Sequence, residues 1–96
     1  MLALKNAKEL LSKNRMYLTQ KYNLSYIAIF GSLSRGDNHE NSDIDILVDF
    51  KQPIGILFID LADELENILN NKVDLVSRNA LKTKYFEHIE KDLIYV

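Results

Sequence analysis

The stretch Phe30–Val48, FGSLSRGDNHENSDIDILV, decides how this sequence is interpreted. It places Asp43 and Asp45 one residue apart in a run that is otherwise apolar and β-branched. A carboxylate on a buried strand is costly to desolvate unless a cation, a turn amide or a metal ion offsets its charge. The identity of that partner therefore decides the function of the chain.

Helical and strand patterns alternate along the chain without repeats or a long linker. Amphipathic spacing predicts the helices, and short β-branched or aromatic runs predict the strands. Ser32 is placed to cap a short helical turn directly after the first strand. The predicted elements are a helix from Leu4 to about Tyr22, strands over 24–30 and 43–50, a helix from Pro53 to about Asn70 whose core stripe is Leu57, Leu61, Leu65 and Leu69, a strand over 72–76, a helix over 80–91 and a terminal strand in LIYV.

This alternation predicts an α/β or α+β fold, with a small mixed β-sheet flanked by helices. The length of 96 residues supports one domain, covering residues 1–96. The formal net charge is −2, and acidic and basic residues are mixed along the chain. A broad nucleic-acid-binding face would show a basic stripe, so direct nucleic-acid binding is not expected.

Composition also limits the chemistry and the location. The chain contains no cysteine, which excludes disulfides and thiolate metal sites. No segment approaches the roughly 18 consecutive apolar residues of a membrane span. The N-terminus lacks the apolar core of a signal peptide. We therefore expect a cytoplasmic protein without a membrane partner.

Three carboxylates are the candidate metal ligands. Residues i and i+2 of a strand project to the same side, so Asp43 and Asp45 can converge on one cation. Asp74 lies between Val73 and Leu75 and points away from these core-forming neighbours. If the third strand lies beside the second, the three carboxylates gather and raise one another's pKa unless a divalent ion binds there. Oxygen ligands alone favour Mg²⁺, with Mn²⁺ as a substitute.

The Gly31-Ser32 turn is the candidate phosphate site. It follows a predicted strand and precedes a helical turn, which is where backbone N–H groups point at an anion. Glycine lets a phosphate approach the backbone closely, and the serine hydroxyl can donate to its oxygens. A phosphate cradle beside a carboxylate cluster predicts phosphoryl or nucleotidyl transfer.

These residues carry a family resemblance. Gly31-Ser32, the ten residues Leu33 to Ser42, and Asp43-Ile44-Asp45 match the G-S-x10-D-x-D signature of the nucleotidyltransferase superfamily that includes DNA polymerase beta. The segments GSLSRG, SDIDILV and KVDLV most resemble the minimal nucleotidyltransferase (MNT) domains, which have about this length. The resemblance covers nearly the whole chain and implies the nucleotidyltransferase fold.

The resemblance also implies roles for particular residues. Asp43 and Asp45 would hold a pair of Mg²⁺ ions, and Asp74 would complete the catalytic site and could draw the proton from the attacking hydroxyl. Gly31 and Ser32 would bind the phosphates of ATP, the substrate. Arg35 would be a further nucleotide contact.

The resemblance further implies a protein partner. Many such proteins act as antitoxins of HEPN-domain ribonuclease toxins, and some transfer AMP from ATP to a tyrosine of the toxin. A hetero-oligomer with such a toxin is therefore expected.

Other interpretations stay open at this point. An antitoxin of the same fold could neutralise its partner by binding alone. A small-molecule nucleotidyltransferase would usually carry a second helical domain. Taken singly, Asp43 could cap a turn, Asp45 could pair with a lysine, and Asp74 could face solvent at a sheet edge. His88, among charged residues of the last helix, is expected to face water.

Overall fold

The computed structural model describes residues 1–96 and contains one mixed four-stranded sheet. In space the third strand lies beside the second in parallel, and the first strand lies antiparallel to both the second and the fourth. The strands are β1 (Leu24–Phe30), β2 (Ile44–Phe50), β3 (Val73–Ser77) and β4 (Ile94–Tyr95). The helices are α1 (Leu4–Tyr22), α2 (Gly31–Arg35), α3 (Leu57–Leu69) and α4 (Thr83–Glu90), with a 3-10 turn at Arg78–Ala80. The predicted small mixed sheet flanked by helices is confirmed.

The main core lies between one face of the sheet and helices α1 and α3. Side chains alternate along each strand, and one set from β1 and β2 is fully buried against leucines of the two helices. Each such side chain stabilises the fold by about 1.5–3 kcal/mol relative to an exposed one. The central members are Leu11, Leu18, Ile27, Ile29, Ile44, Ile46, Val48, Leu61, Leu65 and Leu69.

A smaller apolar cluster packs on the opposite face of the sheet. Phe30, Leu47 and Ile89 form a second apolar cluster there, so α4 packs on this face. Asp45 lies two residues before Leu47 on β2 and therefore projects to the same side. Because α4 covers only part of this face, polar side chains on it stay accessible.

A buried tyrosine joins the two long helices. Tyr22 at the end of α1 is fully buried, and its hydroxyl donates a hydrogen bond to Glu64 of α3. Lys21 Nζ lies 3.3 Å from the same carboxylate. Burial and the Glu64 interaction raise the pKa of Tyr22 to about 12, so its hydroxyl stays protonated and keeps donating. The α1–α3 contact is thus fixed by a polar link at the edge of the apolar core.

Two helices begin later than the sequence pattern predicts. The helix expected from Pro53 begins at Leu57, because Gly55 adopts a left-handed backbone (φ 57°) and turns the chain first. Leu57 is therefore 40% exposed, whereas the other three leucines of the stripe are buried as predicted. The helix expected over 80–91 spans Thr83–Glu90, because the 3-10 turn occupies the residues before it.

The start of α2, the loop after it and the character of the helices complete the description of the fold. Ser32 does not cap α2, since the helix begins one residue earlier at Gly31 and has no side-chain cap. The segment over 37–42, between α2 and β2, has no helix or strand. Every helix is too short or too polar to serve as a transmembrane span.

Candidate active site

Gly31 brings the end of β1 against a carboxylate of β2. Its backbone is left-handed, with φ 73°, a conformation that glycine adopts without a Cβ penalty. A Cβ at this position would lie 2.9 Å from Asp45 Cγ and closer still to Oδ2. Only glycine therefore leaves room for the Asp45 carboxylate beside the turn.

Asp45 and Asp74 form a carboxylate pair. They are register partners in the parallel β2–β3 ladder, and neighbouring strands lie about 4.8 Å apart. Both side chains line the same pocket as Gly31. Burial and the charge and hydrogen bonding of Asp74 raise the pKa of Asp45 to about 6, with a smaller contribution from Asp43. The pair is therefore an unfavourable concentration of negative charge, which a bound cation would relieve.

Asp43 is placed differently from the other two aspartates. It precedes the first ladder residue of β2, is exposed, and lines a neighbouring depression with Ser42 and Lys72. No three acidic or histidine side chains are close enough together to hold an ion. The expected convergence of three carboxylates at one point is thus observed for Asp45 and Asp74 only, because Asp43 belongs to the loop rather than to the paired strand.

The remaining predicted nucleotide-binding residues border the pocket. Ser32 lies in the first turn of α2 and lines it beside Gly31. Arg35 also lines it, with Nε 3.2 Å from Asp37 Oδ2 and Nη1 3.5 Å from Asp92 Oδ2. The Arg35 charge acts to lower the pKa of Asp45. One cation is therefore already near the carboxylate pair, held by two other acids.

Helix α4 contributes two residues that sequence reasoning missed. Tyr85 and His88 line the pocket with the carboxylates, and His88 is exposed to water, as expected, while it borders this site. Their spacing of three residues places them on one helix face with Ile89. The sequence pattern of α4 does not show which part of the sheet this helix face contacts, because that depends on where α4 packs. The whole pocket has a volume of about 310 Å³.

The donor set fits a hard divalent cation. Mg²⁺ is usually bound through one or two carboxylates together with substrate phosphates, and it does not require an all-protein cage. Asp45 and Asp74 supply two carboxylates, and the Gly31-Ser32 turn lies beside them for a phosphate. This arrangement has the parts that a metal-assisted transfer to or from a phosphate needs.

Comparison with known sequences finds nucleotidyltransferases that are similar to this chain. The family model described as "Polymerase beta, Nucleotidyltransferase" matches residues 5–96. A Methanocaldococcus jannaschii protein, provisionally named protein adenylyltransferase MJ0126, is 44% identical over 98 residues that cover 100% of both chains. A Thermococcus cleftensis protein named "Protein adenylyltransferase MntA" is 36% identical over 97 residues, covering 100% of this chain and 98% of that one.

Several solved structures with the same fold are toxin–antitoxin complexes. One, a toxin–antitoxin crystal structure with AMP-PNP, has a TM-score of 0.71 and 30% identity over 86% of this chain and 69% of the other. A second, a tri-AMPylated Shewanella oneidensis HEPN toxin in complex with MNT antitoxin, has a TM-score of 0.66 and 25% identity over 93% of this chain and 70% of the other. The predicted resemblance is confirmed, and the chain belongs to the polymerase beta family of nucleotidyltransferases.

Proposed function

We propose that this chain is a protein adenylyltransferase that transfers AMP from ATP to a HEPN-type ribonuclease toxin and thereby acts as its antitoxin. The observation that carries the proposal is the Asp45–Asp74 pair, which lies beside the Gly31-Ser32 turn in one pocket. The names of the relatives and the AMPylated toxin in a structural neighbour support the reaction and the partner. The AMP-PNP complex of another neighbour supports ATP as the substrate.

Some residues of the pocket bind the phosphates, and others hold the metal ions. The Gly31 backbone and the Ser32 hydroxyl hold the phosphates, and Arg35 is a further contact for them. Asp45 and Asp74, with Asp43 from the neighbouring depression, would hold two Mg²⁺ ions, for which Mn²⁺ could substitute. When bound, such ions neutralise phosphate charge and stabilise the departing pyrophosphate.

The transfer itself exchanges one bond to phosphorus for another. The acceptor oxygen forms a bond to the α-phosphorus of ATP, and the bond to the β-phosphate oxygen breaks, which releases pyrophosphate. Asp74 accepts the proton of the acceptor hydroxyl, because a carboxylate at the pocket surface is accessible to an incoming side chain. Charge placement and orientation account for most of the acceleration in this class of reaction.

The acceptor hydroxyl comes from the partner protein. The pocket is open, because α4 covers this face of the sheet only partly. Residues 1–96 act as one domain that supplies the nucleotide half of the site. The partner then supplies the other half, and the working form is a hetero-oligomer. We place this reaction in the cytoplasm, where ATP and the ribonuclease meet.

Labelled-ATP transfer tests the proposal. The purified chain, its HEPN partner, Mg²⁺ and ATP labelled at the α-phosphate should give a labelled partner. Asp45→Asn should abolish the transfer, whereas Asp49→Asn, the same change on the same strand but outside the pocket, should preserve it. Failure of the wild type to label the partner, or full labelling by Asp45→Asn, would overturn the proposal.

A further inference from the structure

Tyr85 and His88 form a wall of the pocket to which the transfer chemistry assigns no role. Both come from α4, one helical turn apart, and both line the pocket that Asp45, Asp74 and Gly31 share. The polar walls of this pocket suit phosphates and a cation. The α4 wall differs from them because it offers an exposed aromatic ring, Tyr85, whereas Phe30, the other aromatic residue of the lining, is only 5% exposed.

The packing of α4 fixes this wall in place. Ile89 is 7% exposed and packs with Phe30 and Leu47 on the sheet. On the neighbouring side of the helix, the guanidinium carbon of Arg78 lies 3.9 Å from the centre of the Phe86 ring, a cation–π contact. These two anchors set the rotation of α4, and that rotation turns Tyr85 toward the pocket.

Tyr85 has no structural partner that would explain its position. Its side chain is 53% exposed, and the two aromatic pairs of the protein, Tyr26–Tyr95 and Phe50–Phe58, do not include it. No hydrogen bond involves its hydroxyl. A single exposed tyrosine is common on protein surfaces. A tyrosine ring that borders a phosphate-binding turn and a carboxylate pair has a more specific use.

We propose that Tyr85 is the nucleobase-stacking residue of this site, so that the pocket recognises a nucleotide rather than a bare polyphosphate. The inference rests on the proposed function. A nucleoside triphosphate has an anionic end and a flat aromatic end, and the pocket has one wall for each. Aromatic side chains commonly bind bases through their faces, with little dependence on base identity.

Binding measurements on Tyr85 variants test the inference. Calorimetry with AMP-PNP and Mg²⁺ should show about 10- to 100-fold weaker binding for Tyr85→Ala, the range typical of one lost base–aromatic stack. Tyr85→Phe keeps the ring and should bind like the wild type. Tyr95→Ala removes another exposed tyrosine, outside the pocket, and should also bind like the wild type. Inorganic tripolyphosphate has no base, so Tyr85→Ala should bind it as the wild type does.

The outcomes separate this inference from the proposed function. Equal affinity of the wild type and Tyr85→Ala for AMP-PNP would overturn the stacking role and leave the transfer reaction standing. Equal losses for AMP-PNP and tripolyphosphate would also overturn it, since the residue would then act on phosphate or on the fold. If the wild type does not bind AMP-PNP, both the inference and the proposed function are wrong.

Discussion

Replacing Gly31 with alanine should disturb the active site through one identifiable contact. A non-glycine residue in the left-handed region is destabilised by roughly 1–2 kcal/mol. The added Cβ would also lie 2.9 Å from Asp45 Cγ, and the strand that carries Asp45 is paired on both sides and cannot move away easily. Forcing an extra methyl group into such a site typically costs about 1–3 kcal/mol more. We expect Gly31→Ala to lower the free energy of unfolding by about 2–5 kcal/mol in total.

Gly36 offers a matched control for this prediction. It also has a left-handed backbone, with φ 82°, but a Cβ there would meet nothing within 4 Å. Gly36→Ala should therefore lose only the backbone contribution of roughly 1–2 kcal/mol and keep its transferase activity. Urea unfolding at pH 7 gives both values, and AMP transfer to the partner gives the activities.

The difference between the two glycine variants isolates the contact with Asp45. Adding Asp45→Ala to Gly31→Ala should recover most of the extra loss, because neighbouring residues in contact are not additive. Equal destabilisation of Gly31→Ala and Gly36→Ala, with activity intact in both, would refute the close approach of the turn to the carboxylate.

Three further predictions concern charge, the helix contact and the antitoxin role. In the folded state the pKa of Asp45 is raised from 3.8 to about 6. With EDTA present, the free energy of unfolding should therefore fall as the pH rises from about 4 to 6, and Asp45→Asn should remove this fall. Because the Asp45 side chain is only half-buried, the free energy of unfolding should fall by only about 1 kcal/mol by pH 7. A wild type whose urea unfolding does not depend on pH would contradict the pKa assignment. Tyr22→Phe removes the buried hydroxyl that donates to Glu64, so it should lower the free energy of unfolding by about 1–2 kcal/mol without changing AMP transfer, and an unchanged urea midpoint would show that the link contributes nothing. In cells that express the toxin, Asp45→Asn should fail to restore growth whereas Asp49→Asn should restore it, and rescue by Asp45→Asn would favour neutralisation by binding alone.

The orientation of Asp45 and Asp74 on their strands could be predicted from local rules. Side-chain alternation placed Asp45 opposite the core-forming isoleucines of β2. The same rule placed Asp74 away from Val73 and Leu75, and both aspartates do lie on one face of a parallel strand pair. These conclusions need only the periodicity of a strand and the assumption that the two strands are neighbours.

The parts that depend on loops and packing were not predictable. Asp43 was assigned to the strand because its alternation fits, but ladder pairing begins one residue later and leaves it on the loop. The late start of α3 comes from the left-handed Gly55, which a run of apolar residues does not disclose. His88 and Tyr85 reach the pocket because α4 packs on the face of Leu47, a tertiary contact with no local signature.

Asp74 provides the most direct test of the claim that two paired carboxylates form the catalytic centre. The partner protein should be incubated with ATP, Mg²⁺ and either the wild-type chain or Asp74→Asn, and its intact mass then measured. The partner should gain the mass of one or more AMP groups with the wild type and keep an unchanged mass with Asp74→Asn. The same mass increase with Asp74→Asn would contradict a catalytic centre built on the Asp45–Asp74 pair.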